Sequence, residues 1–204
     1  VRTLPRALLL AAGLAVFQAV PTQAATDTLD QSQVLTLSFQ RLNLTAQTFT
    51  AGKSGQIDRV SLASDTSFGF VRLTVQIQTV NASGTPSGTA LGTSSFAGTL
   101  TCCKQFHDFA FNPGVPVTTG TAYAIVVHVQ NGLFTWYDSW SIDDYSGGRL
   151  YVGCTGCAWL TGSSFGQDFA FKTWVATSVN QAPAVGADSA GVTVREGTAP
   201  VNTG

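Results

Sequence analysis

The sequence has no methionine, only two histidines and few charged residues, since Asp, Glu, Lys and Arg make up 10% of its 204 residues. Its formal net charge is -1, and it contains no basic cluster. Proteins that bind nucleic acids need a cationic surface to neutralise phosphates, so we expect no nucleic-acid partner. The hydrophobic fraction of 44% is still enough for one sizeable domain with its own core.

Motifs of several common catalytic machineries are also missing. The sequence has neither a His-Glu-x-x-His pattern nor a Gly-x-x-x-x-Gly-Lys phosphate loop. A glycosidase needs two positioned carboxylates, and no obvious pair stands out among the acidic residues. These absences predict a protein that is not an enzyme.

The one long hydrophobic run lies at the N-terminus. Arg2 and Arg6 precede an apolar stretch over residues 7–20, which ends at Pro21 and is followed by small residues. This pattern predicts a helical secretory signal peptide over residues 1–24, and hence a secreted or cell-surface location. The run is shorter than the ~20 residues that cross a bilayer, so we expect no membrane span in the mature chain.

Alternation with a period of two dominates the rest of the chain and indicates strands with one buried face. One strand buries Val71, Leu73, Val75 and Ile77 and exposes Arg72, Thr74, Gln76 and Gln78. Another buries Tyr123, Ile125, Val127 and Val129, while its other face carries Ala122, Ala124, Val126 and His128. Further strands are predicted over residues 34–39, 46–50, 56–63, 90–96, 106–111, 149–152 and 168–175.

The segments between these strands are rich in Gly, Ser, Asn and Pro, and no amphipathic helix is evident. About nine short strands predict an all-β fold, an antiparallel two-sheet jelly-roll sandwich over residues 31–176. Asn131-Gly132 predicts a two-residue hairpin turn. The repeated Asp-Phe-Ala-Phe at 108–111 and 168–171 predicts two strands that point both phenylalanines inward.

Residues 46–52 and 55–60 resemble the opening of a family of bacterial exported β-sandwich domains, which are similar to carbohydrate-binding jelly rolls and sit in surface proteins with assorted C-terminal anchors. Segments 84–88, 117–123, 145–148 and 168–171 fit the same family, and the resemblance covers about residues 34–176. It implies a fold and a cell-surface setting, but no activity.

The C-terminal segment differs in character from the predicted sandwich. Residues 180–183 and 191–197 resemble the first strand of an immunoglobulin- or cadherin-like repeat of bacterial surface proteins. One strand cannot bury a core. We therefore interpret residues 177–204 as a linker and the truncated start of a second β module, with further β domains in the full-length polypeptide; a disordered tail is the alternative.

The four cysteines, Cys102, Cys103, Cys154 and Cys157, predict disulfides in an exported chain. Three connectivities exist, and we favour two links between the 102–103 and 154–157 segments over closure of the Cys-Thr-Gly-Cys loop on itself. The rival hypothesis is a zinc site made by all four thiolates, which an oxidising compartment disfavours.

Aromatic residues cluster between residues 134 and 159. Exposed indole rings pack against the flat faces of sugar rings, so we predict a carbohydrate-binding platform made by Trp136, Trp140, Tyr145 and Trp159. The competing interpretation is that these rings fill the core, as Trp and Tyr commonly do.

A structural calcium ion is a weaker hypothesis, and we expect no other cofactor. Asp143 and Asp144, or Asp168 at the edge of the last strand, offer the oxygen ligands that calcium prefers. The alternative is that these carboxylates are solvated or cap turns.

Together these patterns predict an extracellular, non-catalytic β-sandwich module that binds a glycan or another surface component. The alternative is a structural spacer domain of a bacterial surface or secreted protein, with no ligand of its own.

Overall fold

The computed structural model describes residues 26–66, 69–140, 142–154, 156–161 and 168–177. These residues contain eleven β-strands and no helix. The strands are β1 (Thr26–Gln33), β2 (Ser38–Gln40), β3 (Leu44–Thr50), β4 (Gly55–Asp65), β5 (Val71–Val80), β6 (Pro86–Gly98), β7 (Gln105–Val117), β8 (Ala122–Asn131), β9 (Thr135–Asp138), β10 (Leu150–Gly153) and β11 (Phe171–Thr177). The predicted signal peptide and the segment from residue 178 onward lie outside the described residues.

The strands form two antiparallel sheets, which confirms the predicted all-β sandwich. The six-stranded sheet, called sheet A here, has the order β1-β11-β4-β9-β2, and β7 also pairs with β4. The five-stranded sheet B has the order β10-β3-β8-β5-β6. From β7 to β11 each successive strand lies in the opposite sheet, and β5 and β6 are the only consecutive described strands that pair with each other.

The Asn131-Gly132 turn is not the hairpin that was predicted. Gly132 has the positive φ of 83° that such a turn needs. However, β8 belongs to sheet B and β9 pairs with β2 and β4 of sheet A. The turn therefore carries the chain from one sheet to the other, because the partners of both strands come from elsewhere in the sequence.

The repeated Asp-Phe-Ala-Phe segments both belong to neighbours of β4, since residues 108–111 lie in β7 and residues 168–171 lead into β11. Phe109, Phe111, Phe169 and Phe171 all point into the same core cluster and are at most 4% exposed. The prediction of inward-facing phenylalanines is confirmed, and the shared neighbour explains why the two segments meet the same packing requirement.

Strand β1 was not predicted, because its sequence Thr-Asp-Thr-Leu-Asp-Gln-Ser-Gln shows no hydrophobic alternation. It is an edge strand that pairs along β11. The sandwich therefore takes in residues 26–30, which the predicted start at residue 31 left out.

Trp136 belongs to the core of the sandwich. Its side chain is 0% exposed, stacks on Phe169 with ring centroids 4.1 Å apart, and donates its indole N–H to the carbonyl of Ala170 at 3.0 Å. Trp140, four residues later, is 55% exposed. The two tryptophans thus provide a matched pair of buried and exposed rings.

We expect Trp136→Ala to lower the free energy of unfolding by about 3–5 kcal/mol, because it removes a large buried ring and leaves a cavity. Trp140→Ala should change it by no more than about 0.5 kcal/mol. Urea unfolding followed by circular dichroism measures both. Equal effects of the two substitutions would contradict this assignment of Trp136 to the core.

Candidate functional site

The four aromatic residues predicted as a binding platform do not form one row. Trp136 is in the core, and Tyr145 is 8% exposed, packs edge-on against Phe171 and donates its hydroxyl to Gln31 at 2.9 Å. Trp140 is exposed at the end of β9, and Trp159 is half-buried beside β10. Burial therefore removes Trp136 and Tyr145 from the set of rings that could stack on a ligand.

The three carboxylates of the calcium hypothesis are not brought together as an ion-binding shell. Asp143 and Asp144 are exposed, whereas Asp168 is fully buried. Both carboxylate oxygens of Asp168 accept hydrogen bonds, from Gln47 Nε2 at 3.0 Å and from the backbone N–H of Tyr145 at 3.2 Å. This carboxylate therefore serves as the hydrogen-bond acceptor for a side-chain amide and a backbone amide.

Backbone bonds beside the Asp168 carboxylate link this segment to sheet B through Phe169 and to sheet A through Asp168 itself. Gln47 on β3 also accepts the N–H of Phe169 at 2.7 Å. The carbonyl of Asp168 accepts from Gln33 Nε2 at 3.1 Å and from the N–H of Ser139 at 2.9 Å. Burial raises the pKa of Asp168 to about 6, and the bonds from Gln47 and Tyr145 limit the rise.

The cysteines form disulfides within each segment, so the expected links between the segments are wrong. Cys102 is bonded to Cys103 and Cys154 to Cys157. The first pair precedes β7 of sheet A and the second follows β10 of sheet B. The two pairs therefore lie in different connections, and the four sulfurs do not form one group that could bind zinc among the described residues.

One potential metal-binding group does occur among the described residues. Ligand atoms of Asp65, Cys102 and Cys103 lie within 4.8 Å of one another. In the disulfide form the two sulfurs are not thiolates, and thiolates are what zinc requires. The buried Asp65 carboxylate instead accepts the hydroxyl of Tyr137.

The outer face of sheet B forms a groove with small residues at its centre. Strands β3 and β8 place Ala46, Ala124 and Val126 side by side on this face. Tyr151, from the edge strand β10, packs against them and donates its hydroxyl to the carbonyl of Gly84 at 3.0 Å. Because the alanines leave room above the sheet, the tyrosine reaches the β5–β6 turn and divides the groove in two.

The first cavity of the groove has a volume of about 310 Å³ and combines aromatic and polar walls. It is lined by Leu44, Gln76, Gln78, Gly88, Val126, His128, Cys154, Gly156, Cys157 and Trp159. Gln78 is held by bonds to Gln76 Oε1 at 2.7 Å and from the N–H of Gly88 at 3.0 Å. Within the described part of the chain, the Gln76 amide N–H groups, the His128 ring nitrogens and the Trp159 indole N–H have no hydrogen-bond partner.

The position of Trp159 depends on a glycine and on the disulfide loop. A Cβ on Gly153 would lie 3.0 Å from the Trp159 ring, so the absence of a side chain lets the indole approach β10 closely. The Cys154–Cys157 disulfide closes the loop just before it. Trp159 meets Tyr151 edge-on with ring centroids 6.4 Å apart, and the two rings border the groove.

The second cavity of the groove has a volume of about 330 Å³ and lies on the other side of Tyr151. It is lined by Thr48, Val80, Gly84, Ala122, Ser146, Gly147, Gly148, Arg149 and Tyr151. Hydroxyl groups, backbone and one guanidinium group line this half, in contrast to the indole and amides of the first.

The outer face of sheet A is different, because cations cover its aromatic rings. Arg59 lies 4.1 Å from the ring centroid of Trp174, and Lys172 lies 4.2 Å from that of Phe106. Arg41 covers Phe39 at 4.4 Å. A ligand would have to displace these cation–π contacts to stack on the rings. The groove on sheet B is therefore the better candidate site.

Among the residues of the first cavity, only Trp159 was predicted from the sequence to bind a ligand; Cys154 and Cys157 were predicted only to form disulfides. Sequence reasoning recorded the polar face with Gln76 and Gln78 and the mixed face with His128, but it did not recognise them as a site. The sequence feature that could have identified Gln76, Gln78 and His128 is that they point outward from alternating strands. Their convergence follows from the strand order β3-β8-β5, which the sequence does not reveal.

The sequence does contain one pattern that is typical of serine hydrolases. Residues 162–166 read Gly-Ser-Ser-Phe-Gly, which matches Gly-x-Ser-x-Gly. They lie outside the described residues. A nucleophile elbow joins a strand to a helix, and the residues that the structure describes contain no helix. The absence of catalysis stays a prediction.

No model of a known protein family and no curated protein matches this chain. Among the described residues there is also no helix that is long and apolar enough to cross a membrane.

A pH-dependent contribution to stability follows from Asp168. Its pKa of about 6 lies above the ordinary value of 3.8, so the folded protein binds this proton more tightly than the unfolded chain does. The stabilisation is fully present below pH 3.8 and is lost as the pH rises through the folded pKa. We expect wild type to lose stability relative to Asp168→Asn by roughly 1 kcal/mol per pH unit over this range.

Urea unfolding of wild type and Asp168→Asn between pH 4 and pH 7.5 measures this difference. Asp144→Asn, at an exposed neighbouring residue whose side-chain charge does not shift the pKa of Asp168, is the control and should run parallel to wild type. Parallel profiles for wild type and Asp168→Asn would show that Asp168 does not titrate in this range.

Proposed function

We propose that this protein is an extracellular, non-catalytic β-sandwich module that binds a glycan in the groove on the outer face of sheet B. The main support is the first cavity, where the Trp159 ring lies near the Gln76 amide N–H groups and the His128 ring nitrogens, which have no hydrogen-bond partner among the described residues. Export through the predicted signal peptide supports the extracellular location.

The chemistry of the groove suits a polyhydroxylated ligand. Sugar rings offer apolar C–H faces that pack on an indole, and hydroxyls that both donate and accept hydrogen bonds. Ligand sites in general combine apolar walls with a few fixed polar groups. Gln76 and His128 supply such groups next to Trp159, and Gln78 is already oriented by its own bonds.

The resemblance to bacterial exported sandwich domains supports the extracellular part of the proposal. It suggests a setting on a bacterial surface, where polysaccharides are abundant, and further β domains in the full-length polypeptide. The segments that carry the resemblance include 145–148, which lines the second cavity.

A spacer domain without a ligand is the second candidate function. The burial of Trp136 and Tyr145 favours it, because two of the four predicted platform rings serve the core. The cation-covered rings on sheet A favour it as well. Against it stands the groove on sheet B, whose polar groups lack partners.

The full chain should bind at least one polysaccharide class on a glycan array. Trp159→Ala should weaken that binding by about 10-fold or more, since removal of an aromatic stacking surface commonly costs more than 1 kcal/mol. Isothermal titration calorimetry with the best-binding oligosaccharide measures the loss.

Trp140→Ala is the matched control, because this exposed ring lies outside the groove, and it should leave affinity unchanged. Thermal unfolding checks that both variants are folded. A folded protein that binds no glycan would favour the spacer, and binding that depends on Trp140 instead of Trp159 would place the site elsewhere.

A further inference from the structure

Arg149 differs from the other described arginine and lysine residues in having no partner for its side chain. Those other residues are engaged as follows: Arg59 in ion pairs, Lys53 and Arg41 in hydrogen bonds, and Arg72, Lys104 and Lys172 over aromatic rings. Within the described ranges no hydrogen bond, ion pair or ring contact involves the Arg149 guanidinium group. This group lines the second cavity of the groove.

The backbone that carries Arg149 is held firmly against β3. The N–H of Thr48 donates to the carbonyl of Arg149 at 3.0 Å, and the N–H of Arg149 donates to Thr48 Oγ1 at 2.9 Å. Thr50 Oγ1 donates to the carbonyl of Gly147 at 3.0 Å. The position of Arg149 at the cavity is thus preorganised before any ligand arrives.

Glycine makes this close approach feasible. A Cβ on Gly148 would lie 1.9 Å from the carbonyl oxygen of Thr48, and one on Gly147 would lie 2.5 Å from the Tyr145 hydroxyl. Tyr145 in turn donates its backbone N–H to the buried Asp168 carboxylate. The segment 145–149 is therefore fixed at its start by the core and along its length by β3.

The other walls of the second cavity are neutral. They comprise hydroxyls of Thr48 and Ser146, the Gly147-Gly148 backbone and the Tyr151 ring, with no carboxylate among the lining residues. An unpaired guanidinium on a backbone held against β3 suits an oxyanion in such a cavity, because its planar fork of N–H donors matches carboxylate and sulfate geometry. Tyr151 lines this cavity together with Arg149, and its ring contacts that of Trp159 in the first cavity with centroids 6.4 Å apart.

We propose that the second cavity is a subsite for an anionic sugar unit, with Arg149 binding its carboxylate or sulfate group while a neighbouring unit of the same glycan packs on Trp159. This inference rests on the proposed glycan-binding function and specifies the ligand class. The site selects acidic polysaccharides over neutral polysaccharides of the same backbone.

Two matched probe pairs test the selectivity with the full chain. Oligogalacturonate and its methyl ester differ in carboxylate charge, and dextran sulfate and dextran differ in sulfate charge. Calorimetric titration at fixed ionic strength should show that the charged member of at least one pair binds about 10-fold tighter or more, as expected for a charge-assisted hydrogen bond. The pair that responds identifies the oxyanion.

Arg149→Gln should abolish the preference for the charged member of the pair and leave the affinity for the neutral member within about 2-fold of wild type. Arg149→Lys should retain part of the preference, because lysine keeps the charge but lacks the planar fork of donors. Arg72→Gln is the matched control, since Arg72 is an exposed arginine on β5 that contacts Phe70 and does not line either cavity. It should keep the full preference.

Three outcomes of these titrations test the proposed subsite. Loss of the charge preference in Arg149→Gln alone supports the subsite. Binding without charge preference, or equal effects of Arg149→Gln and Arg72→Gln, overturns the subsite and leaves the proposed function standing. If wild type, folded by thermal unfolding, binds neither these probes nor any glycan on the array, both the subsite and the proposed function are overturned.

Discussion

A hydrogen bond between the buried carboxylate of Asp168 and the side-chain amide of Gln47 connects the two sheets of the sandwich. Gln47 belongs to sheet B, and Asp168 leads into β11 of sheet A, so their 3.0 Å hydrogen bond joins the sheets inside the core. A buried carboxylate is costly unless its oxygens are hydrogen-bonded. The structure meets this requirement with amide groups from β3 and from the 144–145 segment.

The hydrogen bonds of Asp168 also position part of the outer face of sheet B. Because the N–H of Tyr145 binds Asp168, the following residues leave the core at a defined point and run back along β3 to Arg149. They form one wall of the groove, and the disulfide loop with Trp159 forms another. Sheet A has no such arrangement on its outer face, since its aromatic rings are covered by Arg and Lys side chains. The two faces of the sandwich therefore differ in what they can offer a ligand.

Sequence reasoning recovered the parts of this structure that depend on local patterns. Alternation along β5 and β8 predicted which side chains point into the core between the sheets, because period two is a property of the strand itself. It did not predict that Gln78 and the outer face of β8 at Ala124 and Val126 are buried as well. It missed β1, whose polar sequence forms a strand through pairing with β11. It could not place Trp136, since the burial of that ring depends on Phe169, far along the chain. Disulfide pairing likewise depends on which sheet holds each segment, and sequence alone leaves the connectivity open.

The central claim is that the outer face of sheet B is a ligand-binding surface built on a rigid core. Nuclear magnetic resonance of the ¹⁵N-labelled full chain, titrated with pooled neutral and acidic oligosaccharides, tests it most directly. Binding at this face should change the chemical shifts of backbone amides in β3, β8 and β10 and of the Trp159 indole, and leave the buried Trp136 indole unchanged. The absence of any change, or changes confined to Trp140 and sheet A, would contradict it.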